Sequence, residues 1–355
     1  MIKKKNYSLK QKKNWDKRSK IEIYNDLKYY NDRVVVEVPP GHYLYRNLHI
    51  FPMSGISNSS TIHCNENGYY SIYKSDRYGF NNPNSEWDKE KIDYVLVGDS
   101  FVQGACVNRP DDISSVLRKI SKGSILNLGL GGNGPLIEYI TLREYLPSNS
   151  KKILWFYYSG NDLVNLEVEY KNKLLNKYLD NPNFTQNLKH KQNEIDNLAL
   201  NIIEEMEQRS KNINKNKNNK IKEKKIKLYL INLKSFIFLS HTRKLLHRVN
   251  DEKNLIMHFK KIVKLTKKLA EINNSKLYFI YLPQYAQFKL DYQDKNYNAI
   301  KNIVNELNIP FIDISKEVFE KEANPLKLFP FELNGHYNVE GYKKVSEAIY
   351  KLTKN

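Results

Sequence analysis

From residue 91 onward, short apolar runs alternate with amphipathic segments of helical length. Five runs have the length and composition of buried strands, at 94–97, 125–128, 153–158, 277–282 and 310–314. Helical patterns follow them, at 110–122, 135–146, 255–272, 297–307 and 339–352. This alternation predicts an α/β fold with a doubly wound, five-stranded parallel sheet. In such a sheet a ligand binds beyond the carboxyl ends of the strands, near the point where the strand order reverses.

Two parts of the chain do not follow this pattern. Residues 42–84 hold short aromatic and β-branched runs broken by Gly, Asn, Ser and Pro, which predict a small antiparallel β unit. Residues 163–250 are mostly helical in pattern, and a Lys/Asn tract at 211–227 is of the kind that stays solvated. We therefore predict an N-terminal extension over 1–90 and an α/β domain over 91–355 that carries the helical insert.

The chain is strongly basic, with 58 Lys and Arg against 39 Asp and Glu in 355 residues, a net charge of +19. Such a balance can indicate a nucleic acid or anionic partner. The basic residues are spread through a chain that is also rich in Asn, Ile and Tyr, and no basic run coincides with a nucleic-acid-binding motif. We expect no nucleic acid partner. The absence of a membrane-spanning run or secretory pattern predicts a soluble cytoplasmic protein.

The two cysteines, Cys64 and Cys106, lie in no metal-ligand spacing, and a disulfide between them is possible without being required. His63, beside Cys64, likewise lies in no ligand spacing. We expect neither a metal nor a cofactor.

Polar and small residues follow the carboxyl ends of the predicted strands, where ligands bind in doubly wound sheets. They are Gly98-Asp99-Ser100, the glycines at 129, 131, 132 and 134, Ser159-Gly160-Asn161-Asp162, and Asn334 to Asn338 around His336. A serine hydroxyl needs a neighbouring base to become a nucleophile, and the oxyanion formed on attack needs hydrogen-bond donors. Together the four segments supply a serine, a histidine, an asparagine amide and glycine N–H groups. The glycine spacing fits neither common phosphate-binding loop.

These segments resemble the four sequence blocks of the SGNH hydrolase superfamily, the GDSL-like lipases and esterases. The matching stretches are VLVGDSFVQGACV (95–107), NLGLGGNGP (127–135), YYSGNDL (157–163) and GHYNVEGY (335–342). The resemblance covers about 93–162 and 276–353 and implies a flavodoxin-like sheet. It also implies that Ser100 is the nucleophile and His336 the base, and that an oxyanion hole forms from the N–H groups of Ser100 and Gly132 and the amide of Asn161.

One departure from the family pattern concerns the third member of the triad. The family usually carries an Asp two or three residues before the histidine, where this chain has Asn334 and Leu333. Glu332 is the nearest carboxylate and is our tentative candidate. A backbone carbonyl could instead hold the imidazole, or Ser100 and His336 could act as a dyad.

The resemblance implies a serine-dependent ester hydrolase that removes acyl groups through an acyl-enzyme. O-acetyl groups on carbohydrate are a plausible substrate by family analogy alone. Two alternatives stay open: an O-acyltransferase that uses the same serine, and a non-catalytic carbohydrate-binding protein with a degenerate site. The sequence does not predict the oligomeric state.

Overall fold

A computed structural model describes residues 15–219, 241–289, 292 and 294–354 of the chain, and two sheets organise it. The strands are β1 (Val34–Val36), β2 (Ser60–Ile62), β3 (Ile72–Lys74), β4 (Ile92–Val97), β5 (Ile125–Asn127), β6 (Ser150–Tyr158), β7 (Lys276–Leu282) and β8 (Phe311–Asp313). The larger sheet has the order β5-β4-β6-β7-β8, and every neighbouring pair is parallel. This confirms the predicted doubly wound α/β sheet.

Helices cover both faces of this sheet. The α-helices of the described residues are α1 (Lys20–Lys28), which packs on the small sheet, α2 (Ser100–Gln103), α3 (Ile113–Ser121), α4 (Pro135–Tyr145), α5 (Asp162–Glu169), α6 (Lys173–Asp180), α7 (Gln192–Asn219), α8 (His241–Ile272), α9 (Tyr297–Glu306), α10 (Ile314–Glu317) and α11 (Val339–Thr353). Neighbouring strand residues point to opposite faces. Leu154 accordingly packs in one apolar cluster with Leu117 of α3 and Val345 of α11. Trp155 packs in the other, with Phe259 of α8.

The strand order reverses between β4 and β6. The chain passes from β4 outward to β5 and then returns to the other side of β4 as β6. The carboxyl ends of β4 and β6 therefore meet at the topological switch point, where open α/β sheets bind ligands. Ser100 follows β4 and Asn161 follows β6, so the fold brings both to this point.

The N-terminal extension forms the smaller sheet, in the order β1-β2-β3. The β2–β3 pair is antiparallel, as predicted, whereas β1 pairs with β2 in parallel. Val36 and Met53 belong to the same apolar cluster as Trp155 of the large sheet. The extension thus packs directly on the α/β part, which lets the β2–β3 turn reach the switch point.

The predicted helical insert contains α5, α6, α7 and the beginning of α8. Residues 211–219 of the Lys/Asn tract form the end of α7, and residues 220–227 lie outside the described residues. Within the described part of the chain, every helix is too short or too polar to cross a membrane.

Candidate active site

The turn after β4 presents Ser100. A Cβ atom on Gly98 would lie 2.5 Å from the Val102 side chain, so the sharp turn out of the strand requires glycine. Asp99 caps α2, because its Oδ1 accepts a hydrogen bond of 2.9 Å from the Phe101 N–H. Ser100 is therefore the first residue of α2, half-buried at the switch point.

The structure brings the predicted nucleophile and base together. Ser100 Oγ lies 2.8 Å from His336 Nε2, within hydrogen-bond distance. The loop that carries His336 is fixed by Tyr337, which is fully buried and donates its hydroxyl proton to the Pro283 carbonyl at 2.8 Å. The Phe101 ring packs 4.7 Å from the imidazole, centroid to centroid. A serine paired with an imidazole in this way can lose its proton as it attacks.

Glu66, in the β2–β3 turn, lies at the other nitrogen of the imidazole. Its Oε1 is 3.4 Å from His336 Nδ1, and its Oε2 accepts a hydrogen bond of 2.8 Å from the His336 backbone N–H. The two side chains are 22% and 23% exposed. A carboxylate at Nδ1 favours the tautomer with a proton on that nitrogen, which leaves Nε2 free to accept the serine proton.

Glu332, the tentative third member of the triad, is not brought to the imidazole. Its side chain is exposed, and its Oε2 lies 3.5 Å from Asn324 Nδ2. Its backbone carbonyl accepts a hydrogen bond of 2.8 Å from the Tyr285 hydroxyl. The family pattern places the carboxylate within a few residues of the histidine, so it gave no indication of Glu66, which lies 270 residues away in sequence.

The signal that could have found Glu66 is the pair of cysteines. Cys64 stands two residues before Glu66, and Cys106 stands six residues after Ser100. The structure joins Cys64 and Cys106 in a disulfide, with their Cα atoms 4.9 Å apart. A disulfide assumed at the outset would have placed Glu66 beside the nucleophile loop.

The imidazole of His336 and two neighbouring side chains have atoms of the kind that bind metals. Donor atoms of Glu66, Cys106 and His336 lie within 4.8 Å of one another. The Cys106 sulfur is part of the disulfide and is not a thiolate, the form in which cysteine binds metal. Oxidation therefore leaves Glu66 and His336 as the metal-binding groups of this set.

Two of the predicted oxyanion donors have no competing acceptor in the part of the chain that the structure describes. Within the described residues, neither the Ser100 N–H nor the Gly132 N–H donates a hydrogen bond. Gly132 is exposed and has φ of +76°, a conformation that favours glycine. The Asn165 amide holds this loop through the Gly132 carbonyl at 3.2 Å. Both N–H groups are thus available to a ligand oxygen.

The Asn161 side chain, the third predicted donor, faces the Asp99 carboxyl and favours its ionised form. An amide group carries two N–H bonds, so one remains for a ligand. Burial raises the pKa of Asp99, and its Oδ2 lies 3.5 Å from Ser100 Oγ.

Two further carboxyl groups lie buried beneath the site. Glu138 Oε2 accepts from Trp155 Nε1 at 2.5 Å, and Asp162 Oδ2 accepts from the Tyr158 N–H at 2.8 Å. Burial raises the pKa of both carboxyls well above the ordinary range, and negative charge at Asp99 and Glu169 adds to both shifts. The protonated, neutral forms are favoured, so these groups are poorly suited to orient an imidazole.

No protein-family model and no curated protein matches the chain. Among solved structures it is similar to a protein described as lipolytic, of the G-D-S-L family, from Desulfitobacterium hafniense DCB-2, with 15% identity and a TM-score of 0.39 over 74% of this chain and 99% of that one. It is also similar to an acetyl xylan esterase, AlAXEase, with 14% identity and a TM-score of 0.39 over 74% of this chain and 100% of that one. These values are too low to assign a family or a substrate.

Proposed function

We propose that the chain is a serine-dependent ester hydrolase of the SGNH type, which works through an acyl-enzyme at Ser100. The observation that carries this proposal is the chain of contacts from Ser100 Oγ to His336 Nε2 at 2.8 Å and from His336 Nδ1 to Glu66 Oε1 at 3.4 Å. A nucleophile, a base and a group that orients the base are what acyl transfer requires.

In the proposed mechanism Ser100 Oγ attacks the ester carbonyl while His336 Nε2 takes its proton. The negative charge that develops on the carbonyl oxygen is stabilised by the N–H groups of Ser100 and Gly132 and by the second N–H of the Asn161 amide. His336 then gives the proton to the departing alcohol, and Ser100 remains acylated. Water, deprotonated by His336, attacks the acyl group and releases the acid and free Ser100.

We further propose that the substrate is an O-acyl group on carbohydrate. A cavity of about 390 Å³ adjoins the site and is lined by Glu66 and by the polar residues Ser19, Lys20, Asn65 and Asn334. Tyr70 also lines it and offers an aromatic ring beside these polar groups. Several hydrogen-bonding side chains next to one ring suit the hydroxyl groups and apolar faces of a sugar.

The Ser100→Ala variant tests the proposed reaction. The wild-type protein is expected to hydrolyse p-nitrophenyl acetate and to be labelled by a fluorophosphonate probe. The variant is expected to lose both properties, because the probe and the substrate react with the same hydroxyl. Full activity or full labelling in Ser100→Ala would refute Ser100 as the nucleophile.

The alternatives differ in their products and labelling. If a sugar hydroxyl replaces water, the acyl-enzyme serves an acyltransferase, and product analysis with candidate acceptors detects the transferred acyl group. A non-catalytic protein would show no labelling of Ser100. The reason for considering that alternative was the missing Asp before His336, and Glu66 offers a carboxylate in its place.

A cytoplasmic location remains a prediction, and the Cys64–Cys106 disulfide weighs against it. Disulfides persist mainly in oxidising compartments and are rare where glutathione and thioredoxin keep thiols reduced.

A further inference from the structure

The sole disulfide that two cysteines allow lies next to the proposed triad. Cys64 and Cys106 are the chain's two cysteines, and the disulfide joins them across 42 residues of sequence. Cys106 Sγ lies 3.9 Å from His336 Nδ1, the nitrogen that faces Glu66. One end of the cross-link is therefore in the nucleophile's loop, and the other is two residues from the carboxylate.

Besides the disulfide, hydrogen bonds join the turn that carries Glu66 and the following strand to the nucleophile's loop. Gln103 Nε2 donates to the Tyr73 hydroxyl at 3.0 Å, and Arg109 donates to the Lys74 carbonyl at 2.7 Å. The Asn67 amide donates to the Cys106 carbonyl at 2.9 Å, and the Ile72 N–H donates to Asn108 Oδ1 at 3.0 Å. These last two are single hydrogen bonds at partly exposed positions, where each contributes about 1 kcal/mol. The disulfide is the covalent attachment between the two segments, at the point nearest Glu66.

Catalysis depends closely on the position of such a carboxylate. An orienting group works when it is held within about 0.5 Å of its productive position. Glu66 belongs to a turn of the small sheet, whereas Ser100 and His336 belong to loops of the large sheet. A cross-link between the two units keeps the Glu66 carboxylate at the imidazole even when the turn fluctuates.

We propose that Cys64 and Cys106 are positioning residues of the active site: their disulfide holds Glu66 against His336, and breaking it lowers turnover. This inference rests on the proposed hydrolase function. A dithiol such as dithiothreitol would break the bond by exchange, becoming a cyclic disulfide while the protein gains two thiols. The freed turn would then sample positions in which Glu66 is away from Nδ1.

The experiment compares four proteins with and without dithiothreitol: wild type, Glu66→Gln, Cys64→Ser/Cys106→Ser, and the triple variant. On p-nitrophenyl acetate, reduction of the wild type is expected to lower kcat about tenfold or more, with KM little changed, because orientation and not binding is lost. Glu66→Gln is expected to be slow in both conditions, and reduction is expected to lower its rate no further. The variant without cysteines is expected not to respond to the reductant.

Non-additivity distinguishes positioning from a merely structural role. If reduction slows Glu66→Gln by the same factor as the wild type, the disulfide does not act through Glu66, and the inference is wrong. It is equally wrong if reduced, folded wild type keeps a kcat within about twofold of the oxidised protein. Circular dichroism of each sample checks that the protein is folded. If Cys64→Ser/Cys106→Ser does not fold, oxidised and reduced wild type are compared instead.

Failure of the hydrolase proposal has a different result. In that case oxidised wild type neither hydrolyses the ester nor reacts with a fluorophosphonate, and the inference fails together with the function. If oxidised wild type is active and labelled but insensitive to reduction, only the positioning role is refuted.

Discussion

The carboxyl groups around Ser100 differ in burial, and burial determines which of them can orient the imidazole. Asp99, Glu138 and Asp162 are each no more than 2% exposed, and burial raises the pKa of all three. Glu66 keeps contact with water and with two donors of His336, its backbone N–H and its ring. Of these groups, Glu66 is the one whose surroundings suit an ionised partner for an imidazolium.

Gly132 combines an unusual conformation with a backbone N–H that has no acceptor among the described residues. An alanine Cβ at Gly132 would meet no atom within 4 Å, so the cost of Gly132→Ala comes from its φ of +76° alone. We expect about 1–2 kcal/mol of lost unfolding free energy. We also expect kcat to fall about 10- to 100-fold, because the strained loop would move an oxyanion donor. Denaturant titration and steady-state kinetics measure the two effects.

Gly41 offers a matched control for this substitution. A Cβ at Gly41 would also meet no atom within 4 Å, and the φ of Gly41 is not in the left-handed region. Gly41 is exposed, and it is distant in sequence from the residues of the site. Gly41→Ala is expected to change stability by less than about 0.5 kcal/mol and to leave kcat unchanged. Equal effects of the two substitutions would contradict the role given to the Gly132 backbone.

At the scale of elements, the loop that carries the proposed oxyanion donor Gly132 is held by a cap from another helix. The first N–H groups of a helix need acceptors, and Gly134, which precedes α4, has no side chain to offer. Glu169, at the end of α5, accepts from the N–H groups of Gly134 at 2.5 Å, Leu136 at 3.0 Å and Ile137 at 3.3 Å. The cap ties the end of the glycine loop to the helix that follows Asn161.

This cap predicts a pH dependence of stability. Burial raises the pKa of Glu169 to about 7, although the backbone hydrogen bonds oppose the shift. The folded state therefore binds this proton more tightly than the unfolded state, in which the pKa of the glutamate is near its ordinary value of 4.5. The contribution of Glu169 to the free energy of unfolding is fully present below about pH 4.5 and is lost as the pH rises through about 7. The total loss is up to about 3 kcal/mol.

Unfolding of Glu169→Gln in denaturant at pH 5 and pH 8 tests this expectation. The neutral amide cannot ionise, so the variant should lose less stability than wild type between these values. Glu167→Gln is the control, because Glu167 is an exposed residue of the same helix, paired with Lys171. A wild-type pH dependence that persists in Glu169→Gln would show that another group causes it.

At the scale of the whole molecule, local sequence patterns predicted the large sheet. They did not predict how the small sheet packs on it, because that packing depends on contacts between residues far apart in sequence. Short apolar runs specify strands such as β4 and β6 through the residues inside them, so their existence could be read from the sequence. Ser100 and His336 could be predicted as nucleophile and base because each lies in a recognisable block. Glu66 lies in a polar turn without a distinctive pattern, and its position depends on how the small sheet packs on the large one. The parallel pairing of β1 with β2 was missed for the same reason.

The packing also gives the N-terminal extension a role. The proposed triad draws on three separate parts of the chain: a turn of the small sheet, the end of β4 and the loop before α11. We propose that the N-terminal extension, through the turn that carries Glu66, is an integral part of the active site and not an appendage to the α/β domain over 91–355. A triad completed by this extension explains why the usual Asp slots before His336 can hold Leu333 and Asn334.

The most direct test of this account compares kcat of Glu66→Gln and Glu332→Gln on p-nitrophenyl acetate. The two variants make the same chemical change at two carboxylates, of which Glu66 contacts His336 and Glu332 does not. We predict a loss of about 100- to 10,000-fold in kcat for Glu66→Gln, since the orienting carboxylate of a serine triad has effects of this size. Glu332→Gln is predicted to stay within about twofold of wild type. Unchanged turnover in folded Glu66→Gln, or an equal loss in Glu332→Gln, would contradict the Ser100–His336–Glu66 triad.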